Sequence, residues 1–91
     1  MSAQRRVVHF SGSVQGVGFR FTAVRAAGRY DVTGYVRNTP DGKVQVVVEG
    51  AADQIDAFLA DVQDRMGGYI RGTTQQPAEP TGTLDGFTIR F

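Results

Sequence analysis

The stretch "VTGYVRNTPDGKVQVVVEG", residues 32–50, holds two β-prone arms around a four-residue turn. Pro40 fixes φ for a turn entry, and Asp41-Gly42 supplies the positive-φ position that a hairpin of this length requires. On the second arm Val44, Val46 and Val48 alternate with Lys43, Gln45 and Glu49. One face of that strand therefore meets a core and the other is mostly wet, with Val47 the exception.

Upstream of the hairpin, Arg6 to Phe10 is a short Val-rich and aromatic run bounded by Ser11-Gly12, which suits a strand. "FTAVRAAGR", Phe21 to Arg29, favours a helix entered at Phe19-Arg20, with Gly28 weakening its far end. Downstream, Ile55, Phe58, Leu59, Val62 and Met66 form one stripe of an amphipathic helix over Asp53 to Met66. Acids occupy its first turn and Gly67-Gly68 ends it. "YIRGTTQQ" reads as a polar edge strand and "PAEPTGTLDG" as a loop, while "FTIRF" alternates Phe87, Ile89 and Phe91 as a last strand. The order is β-α-β-β-α-β with an extra terminal strand. Two βαβ-like halves joined by a hairpin describe an α+β, ferredoxin-like split βαβ sandwich, with both helices on one face of a mainly antiparallel four- to five-stranded sheet.

The chain has 91 residues, no cysteine and a net charge of +1. That length suits one domain over residues 1–91, large enough to bury a core without staples. The lack of cysteine removes disulfide frameworks and cysteine-based metal sites, and it favours a reducing compartment. Arg5-Arg6 could open a secretory signal, but no apolar region follows, and no segment approaches the roughly 20 apolar residues of a membrane span. A soluble cytoplasmic protein is expected. The charge is too mild to argue for nucleic acid, so any anion site must be local.

One stretch is a candidate for such a site: "GSVQGVGFR", Gly12 to Arg20, which places three glycines and an arginine between the first strand and the first helix. The glycines at 12, 16 and 18 do not fit the dinucleotide fingerprint, and no Lys-[Ser/Thr] follows to make a Walker A loop. A compact loop remains, whose backbone N–H groups can turn inward as a nest at a helix N-terminus. Arg20 adds a guanidinium fork that matches two phosphate oxygens. The alternative is an ordinary strand-to-helix turn with a solvated Arg20. Asn38, at a strand end beside the hairpin turn, can both donate and accept hydrogen bonds, although turn chemistry alone also explains an asparagine there.

"GSVQGVGFR", followed by "GYVRN" and then "DGKVQVVVEG", resembles the acylphosphatases, small ferredoxin-like hydrolases of acyl phosphates. The similarity runs from Arg6 to Arg90. It implies that the loop of Gln15, Gly16, Val17, Gly18, Phe19 and Arg20 cradles a phosphate with backbone amides. It further implies that Arg20 binds the same group, that Asn38 orients the attacking water, and that no metal or cofactor takes part. The implied partners are a small-molecule acyl phosphate and inorganic phosphate as product or inhibitor. The composition, independently, leads to the expectation of neither nucleic acid nor membrane as partner, and a monomer is the expectation for an oligomeric state that the sequence leaves open. Three positions depart from the family pattern: Tyr35 stands at a usual tryptophan, Ser13 fills a variable place, and Asp31 replaces a common glycine. Asp31 raises a question of stability, since aspartate tolerates the left-handed backbone only moderately well.

The residue types bear on the chemistry independently. Nothing among Gln15 to Arg20, or at Asn38, titrates near pH 7, so the stretch offers no general acid or base. A phosphate ester must expel an alkoxide, whereas an acyl phosphate expels a carboxylate that is stable at neutral pH. Mixed anhydrides therefore suit these residues better than monoesters. His9, the single histidine, falls on the strand face opposite Val8 and Phe10, away from the helices. Asp53, Asp56, Asp61 and Asp64 lie off the apolar stripe and read as a solvated face rather than a metal site. Arg37 points opposite to Asn38 if its strand is regular. The rival class is a non-enzymatic binding module. For RNA, "KVQVVVE" lacks the aromatics that stack bases, while a phosphate sensor without turnover stays open.

Overall fold

The computed structural model describes residues 3–91; Met1 and Ser2, where the N-terminal reading and the 1–91 domain reading begin, lie outside the described residues. The elements are β1 (Gln4–Gly12), α1 (Phe19–Ala27), β2 (Val32–Asn38), β3 (Val44–Gly50), α2 (Ala52–Met66), β4 (Ile70–Ala78) and β5 (Phe87–Arg90). They form a five-stranded sheet in the order β4-β1-β3-β2-β5. Neighbours are antiparallel except β2 and β5, which run parallel. The ferredoxin-like arrangement expected from the element order is the one observed.

Strand alternation decides where the core sits. Val8 and Phe10 of β1, Val36 of β2, and Val44, Val46 and Val48 of β3 are buried on one face. There they meet Phe19, Ala23, Ala26 and Ala27 of α1 and the whole expected stripe of α2, Ile55, Phe58, Leu59, Val62 and Met66. Both helices thus cover the same side of the sheet. Phe58 stands at the centre, its ring centroid 5.1 Å from Phe87 and 6.4 Å from Tyr30. Val47, the apolar residue on the opposite face, sits in register between Tyr35 and Val7 and is 2% exposed.

The hairpin closes as its residues dictate. Thr39 N–H donates to the Lys43 carbonyl at 2.8 Å and Gly42 N–H to the Thr39 carbonyl at 3.1 Å. The Thr39 hydroxyl bonds the Asp41 carboxylate, so the side chains brace the turn as well.

Four expectations need correction. α1 is entered at Phe19 as expected, with left-handed Gly18 as its N-cap, but it ends at Ala27 rather than running to Arg29, because Gly28 closes it. β4 runs on to Ala78 through Pro77, in what reads as loop sequence. An edge strand tolerates a proline that a central strand would reject. Asp31 does not adopt positive φ; its backbone N–H instead donates to Gln54 Oε1 at 2.9 Å. Phe91 lies beyond β5 and is fully exposed, so it does not complete the apolar face of Phe87 and Ile89. Among the described residues no helix is long and apolar enough to cross a membrane.

The segment between β4 and β5 is anchored by one buried carboxylate. Glu49, 5% exposed, accepts hydrogen bonds from Thr81 N–H at 3.0 Å, Gly82 N–H at 3.0 Å, the Thr81 hydroxyl at 3.1 Å and the Arg5 guanidinium at 2.9 Å. Burial pushes its carboxyl upward, but the Thr81 and Gly82 amides, the Thr81 hydroxyl and Arg5 outweigh that and hold it below the usual carboxylate range.

Candidate functional site

A cavity of about 160 Å³ opens at the end of the sheet where β1 hands over to α1, and it is lined by Val14, Gly16, Gly18, Phe19, Arg20, Phe21 and Asn38. Gly16 and Gly18 have φ of +77° and +79°, and a Cβ on either would meet nothing within 4 Å. Backbone conformation rather than crowding therefore selects glycine at both positions. Left-handed residues in a short loop can aim successive N–H groups to one side, which is the geometry of an anion nest.

Gly18 is also the N-cap of α1, and no side chain caps that helix. The first amides of a helix have no partner within it, and the helix dipole makes the region receptive to negative charge. No acid stands in the first turn to neutralise this field. Arg20 lies in the same turn. It takes part in none of the ion pairs among the described residues, and its guanidinium carbon sits 5.3 Å from the centroid of the Phe91 ring.

Asn38 arrives from the other half of the molecule. It ends β2 in register with Val44, on the helix-covered face, because residues 36 and 38 share one side of a regular strand. Arg37 takes the reverse face, where its Nε donates to Gln45 Oε1 at 2.8 Å. His9 is on that reverse face too, with Nε2 3.2 Å from the Gln45 amide nitrogen. Neither residue lines the cavity. The α2 aspartates stand apart as well: Asp56 pairs with Arg6, and Asp61 binds the Tyr30 hydroxyl and Arg65.

Of the residues singled out from the sequence, Gly16, Gly18, Phe19, Arg20 and Asn38 come together around the cavity. Val17 instead packs against the core. The Gln15 side chain turns to the hairpin, where its amide donates to the carbonyls of Thr39 and Lys43, both at 2.9 Å. That carboxamide ties the loop to the turn that follows Asn38. Val14 and Phe21 also line the cavity, and neither is among the site residues that the sequence singles out. Val14 had one available signal, a lone apolar side chain between Ser13 and Gln15, and it is 1% exposed.

Fold and cavity together define a small ferredoxin-like α+β protein with a glycine-shaped recess at its first strand-to-helix junction. The family model described as Acylphosphatase matches residues 6–89. An acylphosphatase of Bordetella parapertussis is 52% identical over 59 residues, a segment spanning 63% of this chain and 63% of that protein. An acylphosphatase of Streptomyces coelicolor is 40% identical over 88 residues, 94% of this chain and 95% of that one. The crystal structure of acylphosphatase from Bacillus subtilis superposes with a TM-score of 0.84 at 24% identity, covering 99% of this chain and 100% of the other, and bears on the fold. The chain belongs to the acylphosphatase family.

Proposed function

We propose that this protein hydrolyses small acyl phosphates to a carboxylate and inorganic phosphate. In this reading the phosphate group occupies the Gln15–Arg20 loop, held by backbone amides of Gln15, Gly16, Val17, Gly18 and Phe19 and by the Arg20 guanidinium. The Asn38 carboxamide orients a water for attack on phosphorus. The observation that supports this most directly is the convergence on one cavity of a helix start with no side-chain cap, an arginine without an ion-pair partner among the described residues, and an asparagine.

The chemistry asks little else of the protein. Water adds to phosphorus as the bond to the acyl oxygen breaks, and the carboxylate leaves with the electron pair. The water's proton passes to a phosphate oxygen of the substrate itself. Phosphoryl transfer of this loose kind is governed by positioning and by stabilisation of charge on the phosphoryl oxygens, tasks that amides, Arg20 and Asn38 can perform. The leaving carboxylate needs neither protonation nor a metal ion, so the reading is of a cofactor-free reaction.

Inorganic phosphate, the product, is then also a competitive inhibitor. The reading further takes the chain as a one-domain cytoplasmic monomer whose partners are small molecules, with neither nucleic acid nor membrane among them. An ultraviolet assay with benzoyl phosphate, run with chelator beside p-nitrophenyl phosphate, tests the proposal. Turnover of the first alone, undiminished by chelator, is expected; comparable turnover of the ester, or loss of activity with chelator, overturns it.

A further inference from the structure

We infer that Phe21 is the acyl-side contact of the site, an apolar lip that makes aryl and other apolar acyl phosphates better substrates than acetyl phosphate. The inference rests on the acyl-phosphate reading above and adds the residue that selects the acyl group.

The cavity lining divides by chemistry. Gly16 and Gly18 offer only backbone, Arg20 and Asn38 are polar, and Val14 and Phe19 are 1% and 2% exposed, already spent in the core. Phe21 is the remaining apolar residue of the lining, and it is 72% exposed. It stands in the first turn of α1, one residue after Arg20. Among the described residues it joins none of the aromatic pairs, which involve Phe10, Phe19, Tyr30, Phe58 and Phe87.

A substrate whose phosphate is held by the glycine loop and Arg20 must project its acyl end outward through the mouth, along the rim that Phe21 forms. There the lining holds no carboxylate, and its one cation is Arg20, engaged by phosphate. A charged or strongly polar acyl group therefore gains no partner, whereas an aryl group gains ring-to-ring contact and removes apolar surface from water. The Phe91 ring beside Arg20 extends the apolar character of that side.

The test compares kcat/KM for benzoyl phosphate and acetyl phosphate in the native protein, Phe21→Ala and Phe21→Leu. In Phe21→Ala the benzoyl-to-acetyl ratio is expected to fall about five- to tenfold, the scale of one lost aromatic contact. Phe21→Leu retains most of the preference, and inhibition by inorganic phosphate shifts less than about twofold in either variant, since an acyl-side contact acts beyond the phosphate. An unchanged ratio in Phe21→Ala, or phosphate inhibition that weakens in step with turnover, overturns the inference while leaving acyl-phosphate hydrolysis intact. Absence of turnover of both substrates by the native protein overturns the hydrolytic reading itself.

Discussion

The Gln15 side-chain amide donates to the Thr39 carbonyl at 2.9 Å, joining the loop before α1 to the turn directly after Asn38. A second bond of the same length, to the Lys43 carbonyl, makes the tie bidentate. The two halves of the cavity are thereby held at a fixed separation. Gln15→Ala is expected to lower kcat/KM for benzoyl phosphate about 10- to 100-fold, because a displacement near 1 Å of a positioning group costs on that order. Steady-state kinetics beside thermal melting check this: a melting temperature within a few degrees of native should accompany the loss.

Arg20 and Asn38 should separate in their effects. Asn38→Ala is expected to cost about 10²–10³ in kcat while phosphate inhibition stays near native, since the carboxamide serves the water. Arg20→Ala should lose turnover and phosphate affinity together. Inhibition constants for inorganic phosphate in the two variants provide the comparison, and equal weakening in both would contradict the division of roles.

Gly18→Ala places a Cβ at φ +79°, where there is room for the methyl but not an easy backbone for it. The expected destabilisation is about 1–2 kcal/mol. Relief of that strain turns the loop amides, so activity should fall more than tenfold alongside a melting temperature lowered by several degrees. Differential scanning calorimetry and the benzoyl phosphate assay measure the two effects.

Glu49 predicts a pH dependence of stability. Its folded carboxyl is held below the ordinary range, so its contribution is fully present above the unfolded value near 4.3 and is lost as pH falls through the folded value. Glu49→Gln should cost about 1–3 kcal/mol at pH 7, by weakening acceptors for Arg5, Thr81 and Gly82. The stability gap between native and variant should be flat above about pH 5 and close progressively below it. Urea denaturation across pH 3–7 gives that gap, and one that widens on acidification would refute the assignment.

Much of this architecture is legible in the sequence because local and global signals coincide. The α2 stripe and the alternation of Val44, Val46 and Val48 each place a core face without knowledge of the partner. The entry of α1 at Phe19-Arg20 is legible as well, whereas its end at Ala27 is harder, since Arg29 beyond Gly28 still reads as helix former. Beyond Ile70, β4 is mostly polar on both faces and contains Pro77, so neither period nor propensity marks its end. In the site, Gly16, Gly18, Arg20 and Asn38 stand out by type and spacing. The work of Gln15 does not, because its acceptors are backbone carbonyls that only the folded hairpin presents. Glu49 and the Thr81 segment are likewise paired by folding across the molecule, with no local pattern to announce them.

β1 is flanked on one side by β4, with Arg5 opposite Ala78 and Ser11 opposite Gly72. On a translating ribosome β1 must therefore wait with one unpaired edge until residues 70–78 have been made. At typical synthesis rates that interval is about 4–14 s, long compared with hairpin closure. During those seconds the open edge of β1 is free to mispair, and that exposure ends with residues 70–78.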